Sequence, residues 1–77
     1  MLINAEYIGD QLRRARKRLG VTQKELAMTS GTGLRFIIDL EKGKPTCHIG
    51  KALTVLQTAG VRLEMILPPT VDAQVPK

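Results

Sequence analysis

Reactive and metal-binding side chains are scarce in this sequence. It has one cysteine, Cys47, and one histidine, His48. A single cysteine excludes an internal disulfide, and one neighbouring cysteine–histidine pair cannot complete the four-ligand shell of a structural metal. The sequence also lacks a nucleophile–base pair and a glycine-rich phosphate loop. We therefore expect no cofactor, no metal and no enzymatic activity.

Long apolar runs are absent as well. No stretch is long enough to span a bilayer, and the N-terminus lacks the basic region and apolar run of a signal peptide. The 77 residues allow one domain with a small core. Because neither a disulfide nor a metal can stabilise that core, oligomerisation is the expected device. We expect a cytoplasmic, single-domain protein.

Basic side chains, by contrast, are abundant. The formal net charge is +5 and the pI is about 9.9, which favours a polyanionic partner. Such charge forms either a phosphate-contacting surface or a solvated helix face. Five of the twelve basic residues lie in one segment: Arg13, Arg14, Arg16, Lys17 and Arg18. For at least half of these residues other than Arg16, the solvated face is favoured.

The first part of the chain has helical periodicity. Apolar residues three or four apart predict a first helix from Ala5 to Leu19, which Gly20 ends. Thr22 is a suitable N-cap for a second helix, Gln23 to Thr29, and Glu25 completes a capping box with it. The apolar stripe of the first helix consists of Ile8, Leu12, Ala15 and Leu19.

Two further helices are predicted. The third runs from Gly33 to Lys42 with Ile37 and Leu40 as its apolar pair, and Gly43 follows it. Thr46 is the predicted N-cap of a fourth helix that reaches Ala59. The apolar face of this helix consists of Ile49, Leu53 and Leu56, with Ala52 and Val55 alongside.

The periodicity changes after Gly60. Residues 61–67 alternate between apolar and mostly polar side chains, as in a half-buried strand. A single strand in a helical chain needs a partner for its backbone groups. The same strand of a second copy, paired about a two-fold axis, supplies one; the alternative is an extended segment packed on its own core. The predicted dimer strand presents Val61, Leu63, Met65 and Leu67. Residues 1–67 are then the domain, and residues 68–77 a disordered tail.

The region from Gln23 to Leu40 meets the steric requirements of a helix-turn-helix. The second helix of this motif crosses close to the first, so the crossing point needs a small residue, here Ala27. The turn needs a residue that tolerates a left-handed backbone, here Gly31. The apolar core shared by the two helices consists of Leu26, Ile37 and Leu40.

Several segments carry a family resemblance: Thr22–Ala27, Gly31, Ile37 and Leu40–Gly43. With these segments, and from about Ile8 to Gly60, the chain resembles the Cro and phage-repressor helix-turn-helix family, often called the XRE family. A closer likeness, to the HipB-like branch of that family, lies in Leu34–Ile37, Asp39–Thr46 and Leu53–Gly60. The resemblance implies an all-α fold of four to five helices with a short C-terminal β-strand that pairs across a homodimer.

The resemblance also implies a DNA-binding surface. The start of the second helix of the motif enters the major groove, which here brings in Thr32, Gly33, Leu34 and Arg35. Arg35 is the best candidate for reading a base, because its guanidinium can bond guanine O6 and N7 together; a phosphate contact is the alternative. The residues expected at phosphates are Gln23, Lys24, Lys42 and Lys44. Arg16 and Glu41 match a structural ion pair of the family.

We therefore expect a transcriptional repressor, nucleoid-associated, that binds a palindromic double-stranded operator as a homodimer. The HipB-like likeness implies an antitoxin that restrains a HipA-like kinase toxin and regulates its own operon. A stand-alone phage or host repressor is one alternative. A protein-interaction module that has lost DNA binding is another, and the apolar Leu34, Phe36 and Ile38 favour it. Phe36 is expected to pack against a neighbouring helix, whereas the sequence gives Ile38 no role.

Overall fold

Four helices make up the secondary structure of residues 3–69, the part of the chain that the computed structural model describes. No strand is formed within this range, and none of its helices is long and apolar enough to cross a membrane. The helices are α1 (Ala5–Leu19), α2 (Gln23–Ser30), α3 (Leu34–Glu41) and α4 (Ile49–Thr58). The all-helical prediction is therefore confirmed for these residues, with element bounds within a few positions of those expected.

Local capping sets the ends of α1 and α2. The Asn4 side chain accepts a hydrogen bond from the Tyr7 backbone N–H at 2.8 Å and begins α1. Thr22 and Glu25 form the predicted capping box: each side chain accepts from the other residue's N–H, at 3.0 and 2.8 Å. These bonds satisfy N–H groups that have no partner inside the helix.

The start of α4 differs from the prediction. Its N-cap is His48, not Thr46, and the His48 Nδ1 accepts a bond from the Lys51 N–H at 3.2 Å. The imidazole takes the role usually filled by a hydroxyl or carboxylate. Residues 44–48 form turns and a bend before the helix begins. Propensity favours threonine as a cap, but the path of this connection places histidine at the first free N–H groups.

The core lies between the helix pairs that pack together, which are α1 with α3, α3 with α2, and α2 with α4. Three side chains in it, those of Leu12, Ile37 and Val55, are fully buried, and each such burial contributes about 1.5–3 kcal/mol. The buried hydrophobic residues are Leu12, Leu26, Ala27, Ile37, Leu40, Val55, Leu56 and Ala59. The predicted helix-turn-helix core is therefore confirmed, and Phe36 packs against its edge as expected.

Three residues assigned to apolar faces are instead exposed: Leu19, Ile49 and Leu53. Leu19 lies at the last position of α1, beyond the helices that cover Leu12. Ile49 and Leu53 lie on α4 beside the buried face, which is formed by Val55, Leu56 and Ala59. Periodicity predicts a stripe, but the packing partners decide which edge of that stripe is covered.

The segment after α4 contacts the core only at its start. Val61 packs against the core and its N–H bonds the Leu56 carbonyl at 2.9 Å. Beyond it Leu63, Met65 and Leu67 are exposed. A strand requires bonds to a second strand, and residues 3–69 of one chain contain none to pair with. Most of the predicted disordered tail, residues 70–77, lies outside the described residues.

Gly9 marks the closest approach of α1 to α3. A Cβ added there would collide with the Leu40 carbonyl oxygen and lie 2.8 Å from the Glu41 carbonyl oxygen. Both are backbone atoms that cannot rotate away. We expect Gly9→Ala to lower the free energy of unfolding by about 1–3 kcal/mol through overpacking, measured by urea denaturation followed by circular dichroism.

The matched control is Gly50→Ala in α4. The nearest atoms there belong to the exposed capping ring of His48, at 3.1 and 3.4 Å, so the ring has to shift by only a few tenths of an ångström, and alanine favours the helix. The control should keep stability within about 1 kcal/mol. Equal stability of both variants and the native chain would contradict the close approach of α1 to α3.

Candidate nucleic-acid interface

Helices α2 and α3 are joined by a turn that holds them crossed. Gly31 adopts a left-handed backbone, with φ of 73°, and ends α2. The next N–H, that of Thr32, bonds the Ala27 carbonyl at 2.9 Å. Ala27 itself is buried in the same cluster as Ile37 and Leu40 of α3. The small side chain and the permissive turn residue therefore stand where a helix-turn-helix requires them.

The first turn of α3 faces solvent. Its N-cap is Gly33, which has no side chain to accept a hydrogen bond from the first N–H groups of the helix. The donors at this end of α3 are therefore backbone N–H groups. Leu34 is exposed, and the Arg35 side chain is 78 % exposed. Because Ile37 and Leu40 anchor the opposite face in the core, the exposed start of α3 projects from a fixed base. Thr32, half-buried, shares a hydroxyl–hydroxyl bond of 3.0 Å with Ser30.

Asp39 is a functional candidate that sequence reasoning missed. Its carboxylate lies 3.3 Å from Arg35 Nε and 3.6 Å from Lys44 Nζ. It therefore holds two of the predicted DNA-contacting cations on one side of α3. Arg35 meets Asp39 through Nε and its side chain is 78 % exposed, so its terminal amino groups remain available to a partner. The spacing of Arg35 and Asp39, four residues on a helix, was the available signal.

Glu41 ties three helices together. Its two carboxylate oxygens accept from Arg16 Nε at 2.6 Å and Nη2 at 3.1 Å, a bidentate pair. Gln23 Nε2 donates to Glu41 Oε1 at 3.1 Å, and Arg16 Nη1 donates to the Val21 carbonyl at 3.0 Å. The side chains of Arg16 and Glu41 are only 11 % and 4 % exposed. The network fixes the start of α2 against the end of α3.

The lysines predicted to contact phosphates are exposed on α2, at the end of α3 and in the turn that follows it. Lys24 is exposed in the first turn of α2, and Lys42 is the exposed C-cap of α3. Lys44 lies just beyond, next to Asp39. Ile38 of α3 is half-buried and lines a surface depression together with Gln23 and Lys42. The predicted contacts from α2, α3 and the following turn therefore lie around the crossed helices.

Histidine, cysteine and carboxylates are not gathered into a metal-binding group. Within residues 3–69 no three such side chains lie close enough to hold an ion. Cys47 is a free, partly buried thiol next to the capping imidazole of His48. What the described surface offers is guanidinium, ammonium, amide and backbone N–H donors, which suit anionic and hydrogen-bonding partners.

The geometry and the comparisons with known proteins agree. The family described as "Helix-turn-helix" matches residues 12–65, a range that contains α2, α3 and the turn between them. The chain belongs to this helix-turn-helix family. It is also 52 % identical over 61 residues to a Sinorhizobium fredii protein named "Uncharacterized HTH-type transcriptional regulator y4mF". That alignment covers 79 % of this chain and 80 % of the relative.

The Arg16–Glu41 pair gives a stability prediction. Glu41→Gln keeps the shape but leaves the enclosed Arg16 guanidinium without its counter-charge. We expect the free energy of unfolding to fall by about 3 kcal/mol, as for breaking a buried pair, measured by urea denaturation.

Asp10→Asn is the matched control. Asp10 pairs with Arg14 at 3.0 Å on the exposed side of α1, and such pairs contribute less than about 1 kcal/mol. If both variants lost a similar amount of unfolding free energy, the three-helix network would contribute no more to stability than an exposed ion pair.

Proposed function

We propose that this protein is a sequence-specific DNA-binding transcriptional repressor that reads its operator through the start of α3. The observation that carries the proposal is the exposed Arg35 in the first turn of a helix whose other face is locked into the core. The family and the name of the relative support a DNA-binding regulator.

The contacts follow from the geometry of the crossed helices. Arg35 bonds guanine O6 and N7 with its terminal amino groups, while Asp39 restrains its stem. Leu34 contacts a thymine methyl, and Thr32 and Gly33 offer hydroxyl and backbone donors beside it. Base reading therefore depends on few side chains.

Phosphate contacts position this reading helix without reading sequence. Gln23 donates one amide hydrogen to Glu41 and keeps a second for a phosphate. Lys24 lies beside it at the N-terminus of α2, where free N–H groups also favour an anion. Lys42 and Lys44 reach the backbone from the other end of α3.

The interaction-module alternative has little support. It depends on an apolar surface made of Leu34, Phe36 and Ile38. Phe36 packs against the core and Ile38 is half-buried, which leaves Leu34 as the exposed member. One exposed leucine is common on any protein surface.

We further propose that two copies pair through residues 61–67. Met65 is 93 % exposed, and Leu63 and Leu67 on the same side of an extended segment are also exposed. The backbone of residues 62–69 makes no hydrogen bond to other described residues. Antiparallel pairing of Val61, Leu63, Met65 and Leu67 with the same residues of a second copy would satisfy that backbone. It would also cover the last three of these side chains, while Val61 keeps its contact with its own core.

Pairing about a two-fold axis also predicts the symmetry and the half-site spacing of the operator. Two reading helices would meet half-sites about 34–36 Å apart, one turn of DNA, on a palindromic sequence. The HipB-like likeness adds a proposed role as an antitoxin that binds a HipA-like kinase toxin and represses its own operon. If a kinase-like reading frame adjoins the gene, that role is supported. If none does, a stand-alone repressor is favoured.

Arg35→Ala tests base reading. We expect relaxed preference at one or two operator positions, worth about 1–3 kcal/mol each, measured by binding-site selection from a random duplex library. Lys44→Ala is the control: it should weaken binding to all sequences and keep the preference. An unchanged preference in Arg35→Ala would assign this side chain to a phosphate.

Met65→Glu tests the strand pairing. A charge at the centre of the paired face should shift the chain from dimer to monomer by at least about tenfold in the dissociation constant, a cost of ~1.4 kcal/mol or more, measured by analytical ultracentrifugation. Ile66→Glu, on the opposite side of the segment, should change it little. A monomeric native chain, or a Met65→Glu dimer of native strength, would contradict the pairing.

A further inference from the structure

Of the five basic residues of α1, two are paired with carboxylates within residues 3–69, and three, Arg13, Lys17 and Arg18, are not. Arg14 is paired with Asp10, and Arg16 is enclosed against Glu41. Arg13 and Lys17 are exposed, and among residues 3–69 no carboxylate lies within 4.0 Å of either. These two cations are four residues apart on one helix face, where like charges destabilise a helix.

The position of Arg16 decides where Arg13 and Lys17 point. At about 100° per residue, both lie within one quarter-turn or so of Arg16, on the side of α1 that faces the end of α3. Arg14 and Arg18 lie on the side turned away from it. The pairing of Arg16 with Glu41 thus orients one half of the basic cluster towards the reading helix.

A surface depression joins this half to the helix-turn-helix. It is lined by Arg13 and Lys17 of α1, by Gln23 of α2, and by Ile38 and Lys42 from the end of α3, with the Arg16–Glu41 pair also in its wall. The one carboxylate in it, Glu41, is already satisfied by Arg16 and Gln23. Three cations therefore surround one concave surface with no counter-charge of their own.

We propose that this depression is a second phosphate site, in which Arg13 and Lys17 join Gln23 and Lys42 in holding the DNA backbone beside the major groove. The inference rests on the proposed function and extends the contact surface from α2 and α3 to α1. It also gives Ile38 a role, as an apolar contact for the deoxyribose next to the phosphate. An anion relieves the repulsion between Arg13 and Lys17 that the isolated chain leaves uncompensated.

Two double variants with the same change in net charge test the proposal. In Arg13→Ala/Lys17→Ala, the dependence of log affinity on log salt concentration should become shallower by nearly two, because each lost phosphate contact removes about 0.9. Arg14→Ala/Arg18→Ala should leave the slope close to that of the native protein. Both are measured by fluorescence anisotropy on the operator duplex and on an unrelated duplex, since a phosphate contact acts on both.

A third variant, Arg13→Lys/Lys17→Arg, should restore the native slope, because it exchanges the cations without removing them. Ethylation interference on the operator should show that Arg13→Ala/Lys17→Ala loses dependence on a phosphate in each half-site. Equal slopes for the two alanine double variants, or no lost phosphate, would overturn the site. Native protein without salt-dependent DNA affinity would instead refute the proposed function itself.

Discussion

The carboxylate of Glu41 accepts hydrogen bonds from Arg16 and Gln23, so one side chain at the end of α3 is bonded to α1 and to the start of α2. The arrangement of the candidate interface follows from this interaction. It fixes the start of α2 against the end of α3 and turns Arg13 and Lys17 towards α3. The enclosed pair is matched in charge and well hydrogen-bonded, which is the condition for such a pair to be tolerated.

The surface around this network offers different residues for phosphate contacts and for base reading. In the proposed function, cations from α1, α2 and the end of α3 contact the phosphate backbone, and such contacts carry no sequence information. Base recognition is assigned by the same proposal to the first turn of α3, where Arg35 is the one side chain with a bidentate donor pattern. Asp39 connects the two tasks, because it contacts both Arg35 and Lys44. The proposed function therefore predicts general affinity for DNA from many contacts and discrimination of bases at few positions.

Local chemistry explains why much of the fold could be predicted. The Thr22–Glu25 capping box, the left-handed Gly31 and the buried Ala27 each depend on residues within a few positions of one another. The predictions that are wrong concern features that depend on contacts between distant parts of the chain. His48 caps α4 in place of Thr46 because of the path of the preceding turn, and Ile49 and Leu53 are exposed because no helix within residues 3–69 covers that edge of α4.

The sequence by itself determined the helices, the crossed pair and the apolar core, since spacing and side-chain type dictate those features directly. It also marked out the basic segment of α1, but not which of its members act together. The pairing of Arg14 with Asp10 is local to α1, but only the tertiary structure decided that Arg13 and Lys17 share a depression with Gln23 and Lys42. The reason is physical: the partners of a charge come from other helices, and their distances exist only once the chain has folded.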